Sequence, residues 1–200
     1  MPLEIVRNDI TKMKADAIVN ASNIKLKKGD GVSGAIFAAA GENELQQECD
    51  KIGGCDVGEA VITSGYNLRS KHIIHTAGPI WQGGNNNEEQ LLHNCDTNSL
   101  NLALQNKCRS IAFPVISSGI YGYPKDKAFN IAIAAISSFL IEHEMMVYLV
   151  IYDKSAVEIS EKLYTKIEQY IDDNYVEEHR MRGSRRSIES FEFLEESESA

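Results

Sequence analysis

The chain has 200 residues, 43% hydrophobic and 24% charged, with a net charge of −9, a size that suits one domain with a full core or one domain and a tail. The acidic balance excludes broad, salt-driven binding to nucleic acid, which relies on clustered Lys and Arg. No apolar run approaches the ~20 residues that span a bilayer, and the opening MPLEIVRNDI has neither the basic nor the long apolar region of a signal peptide.

In chain order, residues 2–7 read as a strand and 17–20 as a second, apolar without alternation and therefore buried on both faces. Residues 34–52 have a helical pattern with Gly41 as an interruption. Strands follow over 59–64 and 71–76, separated by the turn Gly65-Tyr66-Asn67. Residues 81–87, with the run QGGNNN, read as a surface loop. A helix over 88–106 has Leu91, Leu92, Leu100, Leu102 and Leu104 as its apolar positions. Residues 110–116 form a strand in which Pro114 marks an irregularity near the end. An amphipathic helix over 125–142, a strand over 146–152 and a last helix over 155–170 complete the pattern. Strands alternating with helices predict an α/β layer fold with a largely buried sheet. Beyond that the chain turns rich in Glu, Ser and Arg without a usable period. Residues 1–172 are read as one domain and 173–200 as a charged, disordered tail that does not fold alone.

The densest signal lies in residues 15–41, ADAIVNASNIKLKKGDGVSGAIFAAAG. An apolar strand ends in Asn20 and Asn23, and the turn Gly29-Asp30-Gly31-Val32-Ser33-Gly34 leads into a helix of small residues. Strand, glycine turn and helix together aim backbone N–H groups and a helix N-terminus at a phosphate. A second turn, Ser117-Ser118-Gly119-Ile120-Tyr121-Gly122-Tyr123, follows another apolar strand. Two such turns on one sheet point to a ligand with a diphosphate or two anionic ends. Neither turn contains Arg, and the nearby Lys27 and Lys28 precede the first. Backbone N–H groups and helix dipoles must then supply most of the attraction.

The first turn matches GxGxxG, but not as a dinucleotide fingerprint. Its first glycine lies nine residues beyond Asn20, and no strand-terminal acid follows at the right distance. A turn that simply needs glycines is the plain alternative. His72 and His75, three apart on a strand, face opposite sides and cannot share a metal. His93, His143 and His179 are scattered, so each histidine reads as structural or solvated. Ser117 and Ser118 lack a nucleophile-elbow context and read as hydrogen-bonding groups. Tyr121 and Tyr123 either pack or offer a stacking platform for a sugar or base. Tyr152 ends the last strand, where open α/β sheets bind ligands. Asp9 follows the first strand, where its carboxylate either accepts from an exocyclic amine or is a solvated turn acid. The four cysteines, Cys49, Cys55, Cys95 and Cys108, form no CxxC pair and read as reduced thiols of a cytoplasmic protein.

Taken together, the segments NDITKMKADAIVNASN, GDGVSGAIFAAAG, GEAVITSGYNLRSKHIIHTAGPIW and IAFPVISSGIYGYPKDKA resemble the macro domain, the ADP-ribose-binding module, over about residues 1–170. The likeness is greatest to the MacroD-type hydrolases and their bacterial relatives. It implies a three-layer α/β/α sandwich with a mixed, mostly parallel sheet of about six strands. It implies that Asp9 accepts from the adenine amino group, that Ile10 lines the adenine site and that Tyr152 faces the base. Asn23 would hydrogen-bond the distal ribose, with Asn20 and Asp30 also at the ligand. Gly31, Val32 and Gly34 belong to the first diphosphate loop, and Ser117, Ser118, Gly119, Ile120 and Tyr121 to the second, with Tyr121 near the distal ribose.

The chain departs from the MacroD type at one place. Those hydrolases carry Asp just before the last glycine of the first loop, where it orients the attacking water; here the residue is Ser33. The GDGV wording is similar to viral macro domains, which also lack that Asp and are still hydrolases. The resemblance therefore implies an enzyme that removes mono-ADP-ribose from carboxylates or deacetylates O-acetyl-ADP-ribose, with Asn23 and Ser33 as its catalytic residues. A non-catalytic ADP-ribose reader is the alternative. No cofactor or metal is expected. The expected partner is ADP-ribose or an ADP-ribosylated protein. No membrane partner is expected, and nucleic acid only as an ADP-ribosylated substrate. The tail is a candidate docking segment for a further partner.

Overall fold

A computed structural model describes residues 2–152, all within the compact unit Met1–Glu158. The helix expected over 155–170, the boundary at 172 and the tail lie outside the described residues.

Among the described residues there are six strands: β1 (Leu3–Arg7), β2 (Ala17–Ser22), β3 (Ala60–Ser64), β4 (His72–Ala77), β5 (Ser110–Pro114) and β6 (Met146–Ile151). They form one sheet in the order β1-β6-β5-β2-β4-β3. All neighbours are parallel except β3 and β4, which pair antiparallel, as the short seven-residue connection 65–71 between them allows. The described residues also form four α-helices: α1 (Gly31–Ala40), α2 (Glu42–Ile52), α3 (Glu88–Gln105) and α4 (Lys125–Glu142). The mixed, mostly parallel sheet in a three-layer sandwich is the expected architecture.

Period-two alternation divides the strands between two cores. Ile18, Ile73, Ala112 and Val150 join Ile36, Phe37 and Leu45 of α1 and α2 in one cluster. Val19, Ile74, Ile111, Phe113, Val147 and Leu149 are equally buried and, by alternation, face the opposite layer. A sheet covered on both faces reads as continuous apolar runs, which is why β2 shows no alternation.

Several boundaries differ from the sequence reading. The helix expected over 34–52 is two helices, broken at Gly41, whose φ of +109° only glycine adopts readily. The first starts at Gly31, so the second half of the glycine turn is itself the first helical turn. β2 runs to Ser22 because its edge continues to pair with β4 as far as Ala77. β5 stops at Pro114, which has no N–H to continue the ladder. On α3, Leu92 and Leu100 are buried but Leu104 is exposed.

Two buried polar features sit in these cores. His75 is fully buried under α1, its ring edge-on to Phe37 at 6.3 Å. Asp96 on α3 is buried with neither carboxyl oxygen hydrogen-bonded, and burial pushes its pKa well above the ordinary carboxylate value. Among the described residues no helix is long and apolar enough to cross a membrane.

Candidate functional site

Five parallel strands end on the same edge of the sheet, and the residues singled out from sequence hang from that edge. Strand order sets their sequence along it: Asp9 after β1, Tyr152 after β6, Ser117 to Tyr121 after β5, and Asn23 to Gly34 after β2. At ~4.8 Å per strand, β1 and β2 stand three spacings apart, roughly 14 Å. The site is therefore a line of groups, not a point.

At the β1 end, Asn8 N–H donates to the Ile151 carbonyl at 3.2 Å, which brings Asp9 beside Tyr152. Asp9 caps the short 3-10 turn Ile10–Lys12: its Oδ1 accepts from Thr11 N–H at 3.0 Å and from Thr11 Oγ1 at 2.7 Å. Oδ2 lies 4.0 Å from Lys12 Nζ, and the side chain is part-exposed. Ile10 is buried beneath, and Tyr152 is 80% exposed.

In the middle, the two glycine turns occupy adjacent strands. The first turn of α1 leaves the N–H groups of Gly31, Val32 and Ser33 without intrahelical partners. Asp30, at the N-cap, makes no side-chain cap bond and is exposed. Gly34 is pinned under the turn: a Cβ there would stand 2.7 Å from the Gly29 carbonyl oxygen. Lys27 and Lys28 are taken up by Asp50 and Glu42, each at 2.6 Å, so the attraction for an anion falls to the backbone. In the second turn Ser117 adopts φ +62°, Tyr123 N–H donates to the Ser117 carbonyl at 3.0 Å, and Gly122 N–H to the Gly119 carbonyl at 3.0 Å. Ser118 Oγ donates to the Val115 carbonyl at 2.7 Å. The N–H groups of Gly119, Ile120 and Tyr121 have no acceptor among the described residues. Nothing lies within 4 Å of a Cβ placed on Gly119, and Ile120 is 76% exposed.

Beyond β2, Asn23 braces its own loop. Its Oδ1 accepts from the N–H groups of Lys25 and Lys27, both at 3.1 Å, and its Nδ2 donates to the Lys27 carbonyl at 2.8 Å. An Asn amide has two donors and two acceptor lone pairs, so one Nδ2 hydrogen remains. Ser33 is buried, and its Oγ accepts from Gly29 N–H at 3.4 Å, leaving its own proton to donate. Asn20 differs from expectation. It is wholly buried and its Nδ2 meets His75 Nδ1 at 3.0 Å, so as placed it supports the site from inside the core. Of the two tyrosines, Tyr123 is a packing residue, buried with its ring 4.6 Å from that of Trp81. Tyr121 is half-buried.

Sequence reasoning assigned no role at the site to Gly78 or Trp81. Gly78 gives Ser117 its space, since a Cβ at 78 would collide with Ser117 Oγ. Its signal would have been a glycine directly after a strand that neighbours the site, which is legible only once the strand order is known. Among the described residues no cluster of three or more His, Cys, Asp or Glu could hold a metal ion.

A family model described as the macro domain matches residues 19–132. A macro domain-containing protein of Mesorhizobium japonicum is 53% identical over 150 residues, covering 75% of this chain and 84% of its own length. A protein of Citrobacter rodentium named O-acetyl-ADP-ribose deacetylase is 46% identical over 170 residues, covering 82% of this chain and 96% of its own. Among solved structures, a variant of the Oceanobacillus iheyensis macrodomain with ADPR superposes with a TM-score of 0.78 at 44% identity, covering 83% of this chain and 94% of that one.

Proposed function

The chain belongs to the macro domain family, and on that premise we propose that it binds ADP-ribose and hydrolyses ADP-ribosyl esters, either mono-ADP-ribose on protein carboxylates or O-acetyl-ADP-ribose. The observation that carries this reading is the pair of N–H sets that follow adjacent strands and have no acceptor among the described residues outside their own helix, Gly31 to Ser33 and Gly119 to Tyr121. They offer a diphosphate fixed donors and a helix dipole without any Arg or free Lys. The names of the relatives, a deacetylase and a macrodomain with ADPR, agree with it.

The roles follow the line of groups. Asp9 Oδ2 accepts from the adenine amino group, and Tyr152 covers the base. The two turns hold the diphosphate. Asn23 donates its remaining Nδ2 hydrogen to the distal ribose, and Tyr121 packs near that ribose. Water adds to the ester, which opens to a carboxylic acid and a ribose hydroxyl. Ser33 holds that water by its hydroxyl proton but is too weak a base to deprotonate it at neutral pH. Positioning and loop electrostatics then carry most of the rate. The serine in place of the usual Asp also favours a second reading, a module that binds ADP-ribose without turning it over. Four buried, unpaired cysteines support a cytoplasmic location. The tail, with Phe191, Phe193 and Leu194 as anchors, is a docking segment for a further partner.

The test is calorimetry with ADP-ribose in EDTA, followed by a time course of ADP-ribose release from one carboxylate-linked substrate. Wild type should bind and turn over. Ser33→Ala should lose about tenfold in rate, equivalent to ~1.4 kcal/mol, and Asn23→Ala far more. Binding without turnover selects the reader module. No heat at millimolar ADP-ribose rejects both readings.

A further inference from the structure

Glu88, the first residue of α3, is buried outside every part of the site described above. The connector that precedes it wraps its carboxylate. Oε1 accepts from Gln82 N–H at 3.0 Å and Gly84 N–H at 3.2 Å, and Oε2 from Asn86 N–H at 2.6 Å. Burial opposes the charge, but the backbone donors more than offset it and hold the carboxyl below its ordinary pKa. The stretch it organises has no regular structure of its own and includes Gly83 at φ +103° and Gly84 at φ +88°.

That connector leads back to the second glycine turn. Trp81 N–H donates to the Tyr121 carbonyl at 2.9 Å. The Trp81 ring lies against Tyr123 at 4.6 Å, with Lys127 Nζ 5.2 Å from the indole centroid. Gly84 sits so close to the indole that a Cβ there would stand 2.9 Å from Trp81 Cη2. At the other end, Gly78 packs directly on the Ser117 side chain. Connector and turn are thus joined through Trp81 and Gly78, and Glu88 ties the connector together by its three backbone bonds.

We infer that Glu88 is a positioning residue for ADP-ribose binding. It folds the connector 82–86 about its carboxylate, which seats Trp81, and Trp81 holds Tyr121 and Tyr123 and so fixes the turn that faces the diphosphate. The ligand half of this inference rests on the function proposed above; the mechanical coupling does not.

The experiment uses the full chain, with Glu88→Gln and Gly84→Ala as independent perturbations. The second leaves the carboxylate in place and presses a methyl group on the indole. Amide hydrogen exchange without ligand reads Trp81, Gly122 and Tyr123, whose N–H groups bond to residues 121, 119 and 117. Calorimetry compares ADP-ribose with adenosine, which lacks the diphosphate. Both variants should speed exchange of the three amides by ~10-fold or more and leave β2 and α1 unchanged. Both should weaken ADP-ribose by ~5–10-fold and adenosine by less than about twofold. Unchanged exchange at Gly122 and Tyr123 overturns the inference. So does a rise in Gly84→Ala alone, which would show that the carboxylate is not what holds the unit. Uniformly faster exchange across the sheet, or equal losses for both ligands, also overturns it, because Glu88 would then support the fold and not the turn. A wild type that takes up no ADP-ribose removes the ligand half, and the exchange data still decide the coupling.

Discussion

His75 shows how much a single residue can carry without touching a ligand. With the Asn20 amide donating to Nδ1 at 3.0 Å, the ring proton sits on Nε2 and goes to Thr63 Oγ1 at 2.8 Å. The neutral ring is thus fully used, and burial lowers its pKa from 6.5 to about 4. The folded protein refuses a proton that the unfolded chain accepts below its ordinary value. Stability present above pH 6.5 is therefore lost as the pH falls toward 4, by about 3 kcal/mol from this site. Urea unfolding of wild type and His75→Gln at pH 7.5 and 4.5 checks this. The variant should be weaker at pH 7.5 yet lose less on acidification; equal losses would mean that His75 is protonated without disturbing the core. From sequence the residue reads only as structural or solvated, because burial and both of its partners come from other segments. Asp9 is more legible from sequence, because its place just after a strand puts it at the sheet edge, while its use of one oxygen to cap Thr11 is a contact that only the structure gives.

At the scale of an element, α1 and its turn are one device. The Gly29 carbonyl lies over Gly34, Ser33 receives the Gly29 N–H, and the helix starts at Gly31 with its first donors uncovered. Gly34→Ala would force a Cβ to 2.7 Å from that carbonyl. Backbone cannot yield as a side chain can, so the turn must move, at a cost of about 1–3 kcal/mol. ADP-ribose affinity should fall by ~10-fold or more while the melting temperature drops only a few degrees. Affinity equal to wild type would show that the first turn does not hold the diphosphate. The glycine pattern marked this element correctly, but its helix boundary did not follow from it. Small residues at 31–34 suit both a loop and a first helical turn, and only the capping geometry at Asp30 separates the two.

For the whole molecule, what matters is that β5 lies beside β2 and β6 beside β1. Those two adjacencies bring turns more than eighty residues apart in sequence to neighbouring strand ends, and set Asp9 next to Tyr152. The tail composition, rich in Glu, Ser and Arg, adds no apolar period. Deleting residues 176–200 should therefore leave the melting temperature within about 2 °C and ADP-ribose affinity within about twofold. A larger drop, seen by thermal melt and calorimetry, would show that the tail contributes to the domain.

The sequence by itself determined the alternation of strands and helices, the two glycine turns, the exclusion of a dinucleotide fingerprint and the family resemblance. Each is a local pattern of side-chain size, polarity and backbone freedom, written in consecutive residues. The tertiary structure decided the strand order, the withdrawal of Asn20 into the core with His75, the packing role of Tyr123, and the link from Glu88 through Trp81 to the second turn. These depend on contacts between segments distant along the chain, and hydrogen-bond partners chosen across a sheet or between a connector and a turn leave no periodic trace in the sequence that makes them.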